Sequence, residues 1–299
     1  MTLTGLHLLL TYRCTFECDH CFVWGSPKQQ GVFTLDRIRR ALDQACDLGT
    51  IEWVFFEGGE PFLYHPILVQ AAHDASARGF RVGVVTNGYW ATTVDDARAW
   101  LEPFAGHLQS LSASTDELHF DERVSTEARN VVQACEALGI PADLIVCDLP
   151  GGAEPEARHG APVEGGSIMY RGRAAVTLAP KAPALPWDSF DECPHEQLDD
   201  PRRLHLDPMG DLHLCQGLMM GNLFEQPLKE LVRAYRPKQH PIVGPLLQGG
   251  PAEVVRRYDV PHAESYADAC HLCYTARLAL RPRFREVLGP GQMYGEGLA

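Results

Sequence analysis

The sequence predicts an α/β protein built on a parallel sheet covered by helices. Short apolar runs alternate with stretches of helical period through the first 148 residues. The apolar runs are near-continuous, as strands buried on both faces require. Residues suited to chemistry fall just after those runs, at the C-terminal strand ends where such folds gather their sites.

The elements follow in order. Residues 5–11 (GLHLLLT) read as a buried first strand. Leu35, Ile38, Leu42, Ala45 and Leu48 then recur at helical spacing, with Thr34 placed as N-cap and Gly49 as the stop. IEWVFFE is a strand ending at Glu57, and HPILVQAAHDASARG is a helix closed by Gly79. FRVGVVT is a third strand, VDDARAWLEPF a helix and LQSLSAST a fourth strand. STEARNVVQACEALG is a helix capped by Ser125 and stopped by Gly139, and ADLIVCD is a fifth strand. Residues 148–166, rich in Gly, Pro and Ala, read as a loop. SIMYRGRAAVTL supplies a sixth strand and APKAPALPW a proline-rich linker. From about Phe190 a smaller unit begins. RLHLDPMGDLHLC alternates leucines around a turn, a hairpin pattern, and PLKELVRAY is a short helix. Residues 237–261 read as loop-rich with one helix in them.

The chain has 299 residues, 45% of them hydrophobic, enough for one large domain or a domain with an appendage. A net charge of −13 without a long Lys/Arg run argues against nucleic-acid binding. The N-terminal MTLTGLHLLL has no basic head and is too short to span a membrane. The expected location is cytoplasmic, where the ten cysteines point to metal or redox chemistry rather than disulfides.

Cys14, Cys18 and Cys21 stand at C-x3-C-x2-C spacing after the first strand. Three thiolates leave one iron of a cubane 4Fe–4S cluster open to a small chelating molecule. The bland alternative is zinc with a distant fourth ligand, although zinc knuckles favour C-x2-C or C-x4-C pairs. After the second strand, Gly58 and Gly59 allow close backbone approach, and Glu60 offers a carboxylate that can accept from an ammonium group. Thr86, Asn87 and Gly88 end the third strand. Ser112 and Ser114 share one face of the fourth. Asp116, Glu117 and His119 lie just beyond, able to orient substrate or move protons, or forming merely a solvated turn. A second set, Cys193, Cys215, Cys270 and Cys273, supplies four thiolates, enough for a fully ligated cluster or a structural zinc. Cys46 and Cys135 are expected in helix cores, and Cys147 as packing near the end of the fifth strand.

The cysteine loop, FEGGEPFLY and TNG, each at its strand end, together resemble the radical S-adenosylmethionine (SAM) superfamily. GDLHLC, CHLC and DPMGDLHLCQGLMMGNLFEQPLKEL resemble that superfamily's SPASM/twitch auxiliary domain. The resemblance implies a partial (β/α)6 TIM-like barrel over residues 1–185 and a small α+β twitch/SPASM-like cluster domain over 186–299. It implies a 4Fe–4S cluster on Cys14, Cys18 and Cys21 whose open iron takes the amino and carboxylate groups of SAM. It implies one auxiliary 4Fe–4S cluster on Cys193, Cys215, Cys270 and Cys273. No cysteine follows Cys273, so the pattern is a twitch-type half domain. By the same resemblance the backbone of His20 lies near the adenine, Gly58, Gly59 and Glu60 bind the SAM amino group, and Thr86 and Asn87 lie near the ribose. Ser112, Ser114 and Arg171 (in MYRGRA, with Arg173) contact SAM or substrate; Asp116 and His119 are expected to be catalytic from their own chemistry and position beyond the fourth strand.

The implied reaction starts with an electron from a low-potential donor such as flavodoxin or ferredoxin. SAM then cleaves to a 5′-deoxyadenosyl radical, which abstracts hydrogen from a small-molecule biosynthetic substrate for oxidation or rearrangement. A ribosomally made peptide is the alternative substrate, and a non-catalytic iron–sulfur or zinc protein the alternative class. Cys14 leaves no room for a leader-binding domain before it, and the segment after Arg281 is short, which favours the small molecule. The tail GPGQMYGEGLA lacks the double-glycine ending of the enzyme that rearranges GTP for molybdenum cofactor synthesis. No nucleic acid and no membrane is expected as a partner.

Overall fold

The computed structural model describes residues 1–120, 122–148 and 165–296. In chain order the elements are β1 (Gly5–Thr11), α1 (Leu35–Leu48), β2 (Trp53–Gly58), α2 (His65–Ala77), β3 (Arg81–Thr86), α3 (Val94–Leu101), β4 (Ser110–Ser114), α4 (Thr126–Leu138), β5 (Ala142–Asp148) and β6 (Gly165–Ser167). There follow α5 (Ala174–Thr177), β7 (Leu185–Pro186), β8 (Arg203–Leu206), β9 (Asp211–Cys215), β10 (Leu218–Asn222), α6 (Leu228–Ala234), α7 (Val243–Tyr258), β11 (Ser265–Tyr266) and α8 (Ala269–Leu280).

One nine-stranded sheet runs β10-β9-β8-β1-β2-β3-β4-β5-β6. The pairs from β1 through β6 are parallel, as the near-continuous apolar strands require. β8 adds to β1 in parallel, with His7 opposite His205, and the β8–β9 hairpin turns back antiparallel. The C-terminal hairpin thus continues the first sheet.

Alternation divides the strands between two faces. Leu6, Leu8, Leu10, Val54, Phe56, Val82, Val84, Leu111, Ala113, Leu204 and Leu206 pack in the main core with the helices. Fully burying each such side chain contributes about 1.5–3 kcal/mol. The residues between them, His7, Glu57, Val85, Ser114, Ile145, Arg203 and His205, line a cavity on the opposite face. Gly83 lies on that face too, where an added Cβ would stand 2.1 Å from the Phe55 ring.

The helix ends are those the sequence implies. Thr34 accepts from Arg37 N, Ser125 accepts from Ala128 N, and Gly49 and Gly139 close α1 and α4 in left-handed conformation. Three expectations are corrected. The sixth strand is only Gly165–Ser167; most of SIMYRGRAAVTL is irregular or lies in α5, because Gly172 takes φ +61 and turns the chain. Residues 237–261 are mainly helix, with α7 kinked at Gly249 and Gly250 ahead of Pro251. Cys46 is exposed on α1, whose buried stripe is Ile38, Ala41, Leu42 and Ala45. Residues 149–164, most of the expected loop, and residues 297–299 of the tail lie outside the described residues. Among the described residues no helix is long and apolar enough to cross a membrane.

Candidate active site and metal centres

The three-cysteine loop leaves β1 and returns beside it. Its sulfurs already meet hydrogen-bond donors. Gly25 N lies 3.1 Å from Cys21 Sγ, Phe16 N 3.4 Å from Cys14 Sγ, and Asn87 Nδ2 3.5 Å from Cys14 Sγ. Burial pushes the Cys14 thiol up to about 12 and raises Cys18 further, with the neighbouring sulfurs adding to both. Half-buried, mutually repelling thiolates need a cation among them, and an iron cluster would supply it. The donor set therefore fits a cluster held by Cys14, Cys18 and Cys21.

Two arginine-linked features fix the loop. Arg173 donates from Nη1 to Cys18 O at 2.7 Å and from Nη2 to Gly25 O at 2.8 Å. Gly172 packs so closely that a Cβ would stand 2.6 Å from Cys21 O and from Phe22 Cα. The glycines after β2 also make room for this loop. A Cβ on Gly59 would lie 2.2 Å from Arg13 O, and one on Gly58 2.4 Å from Thr11 O.

Glu60 is wholly buried and binds the strand ends together. Oε1 accepts from Phe62 N at 3.0 Å and Thr86 Oγ1 at 2.8 Å; Oε2 accepts from Asn87 N at 2.7 Å. Burial pushes its carboxyl up to about 7 against these three donors, which favour the ionised form. Thr86 Oγ1 also accepts from Trp90 Nε1 and Gly88 N. Asn87 reaches the cysteine loop through Thr15 Oγ1 at 3.1 Å.

A cavity of about 230 Å³ adjoins this loop. All three cysteines line it, with His20, Gly58, Gly59, Thr86, Asn87, Ser114, His119 and Arg171 from the sequence-based site. Ser112 is buried on the same strand face. Asp116 is buried and accepts from Leu118 N and His119 N through Oδ1, which lies 3.0 Å from His119 Nδ1. Burial works against ionising Asp116, yet the neighbouring imidazoles of His119 and His20 and the Leu118 N–H hold it below the usual carboxylate range. His20 stands edge-on to His119 at 4.6 Å, and burial drops its imidazole to about 4. Cys147 is not mere packing: it lines the cavity, and its thiol, Asp116 and His20 bring their ligand atoms within 4.8 Å of one another.

Sequence reasoning passed over a second polar group. His7 Nδ1 and His205 Nε2 lie 3.2 and 3.1 Å from the same oxygen, Glu57 Oε1. Burial raises Glu57, but the two imidazoles outweigh it and hold the carboxylate well below its usual range. Burial drops His205 to about 4. His7 Nε2 and His205 Nδ1 are buried without a hydrogen-bond partner. The signal was present: a histidine sits between leucines in both GLHLLLT and RLHL.

Cys193, Cys215, Cys270 and Cys273 line one small cavity of about 20 Å³. Burial pushes the Cys193 thiol up to about 12 and raises those of Cys270 and Cys273. Arg171 Nη1 lies 3.2 Å from Cys215 Sγ.

The Radical SAM superfamily model matches residues 8–150, the segment holding the cysteine loop and every strand end from β1 to β5. That segment is similar to a radical SAM domain. Curated relatives of this chain include the tungsten-containing aldehyde ferredoxin oxidoreductase cofactor-modifying protein of Pyrococcus furiosus, 29% identical over 142 residues, 47% of this chain and 36% of the relative. The putative peptide biosynthesis protein YydG of Bacillus subtilis is 24% identical over 125 residues, 42% of this chain and 39% of the relative. The match therefore spans well under half the length of these relatives. Similar solved structures include anSMEcpe with bound AdoMet, 12% identical over 95% of this chain and 98% of that one at TM-score 0.49. Streptococcus suis SuiB bound to precursor peptide SuiA is 12% identical over 90% and 76%, at TM-score 0.46.

Proposed function

We propose that this chain is a two-cluster radical SAM enzyme that abstracts hydrogen from a small biosynthetic molecule. The observation that carries the reading is the shared cavity: three half-buried cysteines, with N–H groups directed at the sulfurs of Cys14 and Cys21, open onto the polar face of β1, β2, β4 and β8. Residues 1–185 are read as the partial barrel and 186–299 as the twitch-type domain. A 4Fe–4S cluster on Cys14, Cys18 and Cys21, carrying SAM on its open iron, supplies reductive cleavage to a 5′-deoxyadenosyl radical. The electron comes from a flavodoxin- or ferredoxin-type donor.

The chain's own residues have separate tasks. Arg173 and Asn87 hold the cysteine loop in register with the strand ends. Gly58, Gly59, Thr86, Asn87, Ser112, Ser114 and the His20 backbone form the SAM cradle, with Glu60 fixing Thr86 and Asn87. Asp116 orients His119 for proton transfer at the cavity edge. The pair of imidazoles on Glu57 anchors the polar end of the substrate. Phe16 and Phe22, which also line the cavity, exclude water from the radical. A peptide substrate is the second reading, favoured by the match to YydG.

The test is anaerobic. Reduced protein should convert SAM to 5′-deoxyadenosine, and deuterium from a labelled substrate should appear in that product. No cleavage by protein loaded with about eight irons would remove the proposal. Deuterium transfer only from a peptide would move it to the second reading.

A further inference from the structure

One side chain belongs to both cavities. Arg171 lines the larger cavity and the small one bounded by the second cysteine set. It is 6% exposed, and its Nη1 lies 3.2 Å from Cys215 Sγ and 3.2 Å from Glu196 Oε1. Its guanidinium also sits 5.7 Å from the ring of Phe22, the residue after Cys21. A second buried guanidinium stands nearby. Arg277, one turn beyond Cys273 on α8, is 1% exposed, lines the same small cavity and donates to Gln216 O at 2.8 Å. Two cations thus face four thiolates inside the protein, where charges interact far more strongly than at the surface.

The potential of an iron–sulfur cluster depends on its net charge and on hydrogen bonds to its sulfurs. Reduction adds one negative charge. A fixed cation hydrogen-bonded to a ligand sulfur stabilises the reduced form more than the oxidised form. The first loop lacks this arrangement, because Arg173 gives both of its bonds to the carbonyls of Cys18 and Gly25.

We infer that Arg171 raises the reduction potential of the cluster on Cys193, Cys215, Cys270 and Cys273, so that an electron acceptor stands at the wall of the substrate cavity. The inference rests on the two-cluster reading above. The couple is one electron wide, no bond forms or breaks at Arg171, and the guanidinium stays protonated in both states. Glu196 opposes the effect: its carboxylate lies 3.2 Å from Arg171 and 3.7 Å from Arg203 Nη2, and offsets part of the positive charge. Arg171 acts through the Cys215 ligand and is a positioning and tuning residue.

The experiment is an anaerobic potentiometric titration of the holoenzyme followed by electron paramagnetic resonance. The signal that added SAM does not perturb belongs to the second cluster. Arg171→Met should lower its midpoint, changing the ratio of reduced to oxidised cluster about tenfold at fixed potential, ~59 mV for one electron. Arg171→Lys should retain most of the wild-type midpoint. Glu196→Gln should move it the opposite way, upward, by less. A merely structural role for Arg171 would not produce shifts of opposite sign. Unchanged midpoints in Arg171→Met and Glu196→Gln, or shifts of the same sign, overturn the inference. If Arg171→Met sheds the cluster, Glu196→Gln decides alone: an upward shift supports the inference and no shift overturns it. Iron content separates the two levels of argument. Wild-type protein with about four irons, or with zinc on the second set, removes the two-cluster reading itself.

Discussion

The two cysteine sets differ in what surrounds their sulfurs. The first offers three thiolates to a cavity of about 230 Å³ and meets those of Cys14 and Cys21 with neutral N–H groups from Phe16, Gly25 and Asn87. The second closes four thiolates around about 20 Å³ and sets Arg171 and Arg277 against them. An incomplete set beside open space suits a cofactor that must admit a ligand. A complete set with buried counter-charge suits one that only gains and loses electrons. The arginine that secures the first loop, Arg173, binds carbonyls; the arginine of the second binds sulfur.

The largest effects should separate the sets outright. Cys18→Ala should abolish reductive SAM cleavage and halve the iron from about eight per chain. Cys270→Ala should halve the iron too, yet leave SAM cleavage in the absence of substrate. Equal loss of cleavage in both variants, measured as 5′-deoxyadenosine, would erase the distinction.

Next comes the anchoring of the first loop. Arg173→Met removes two charge-assisted hydrogen bonds, each worth ~1.5–3 kcal/mol. The change in the first cluster's resonance on adding SAM should be lost, while the second cluster's midpoint holds. A shift confined to the second cluster would reverse the roles assigned to the two arginines.

Glu60→Gln tests whether the strand ends depend on one carboxylate. The amide would turn an N–H2 group toward donors from Phe62, Thr86 or Asn87, at a cost of about 3 kcal/mol. Anaerobic thermal unfolding should show the loss; an unchanged midpoint would mean that Glu60 is not the tie described here.

The smallest effect concerns pH. His205 titrates near 4 in the folded protein against 6.5 ordinarily, because it is buried. Between those values the unfolded chain binds a proton that the folded chain refuses, so stability falls as pH drops through that window. The contribution from pH 6.5 to 5.5 is about 1 kcal/mol. His205→Gln should flatten that part of the pH–stability profile, and a slope equal to wild type would place the cause elsewhere.

Much of the first site was legible because local chemistry dictates it. Thr34, Ser125, Gly49 and Gly139 mark helix ends through their own backbone and side-chain preferences, and strand ends follow from the apolar runs. The residues at those ends then converge because a parallel sheet places them there. Glu57, His7 and His205 were not legible as a group. They come from three strands that are adjacent only because β8 inserts beside β1, some 195 residues later in the chain. Cys147 was likewise read as packing, since its face depends on the register of β5 against β4.

By itself the sequence determined the order of strands and helices from β1 to β5, the ends of α1 and α4, and the two sets of cysteines. These follow from periodicity and spacing, which act over a few residues. The tertiary structure alone decided that the C-terminal hairpin extends the same sheet, that a carboxylate lies between two imidazoles, and that Arg171 reaches the sulfur of Cys215 from the rim of the other cavity. Such contacts join residues far apart in the chain. Their energies depend on burial and on which side chains share a face, and both arise only once the sheet has assembled.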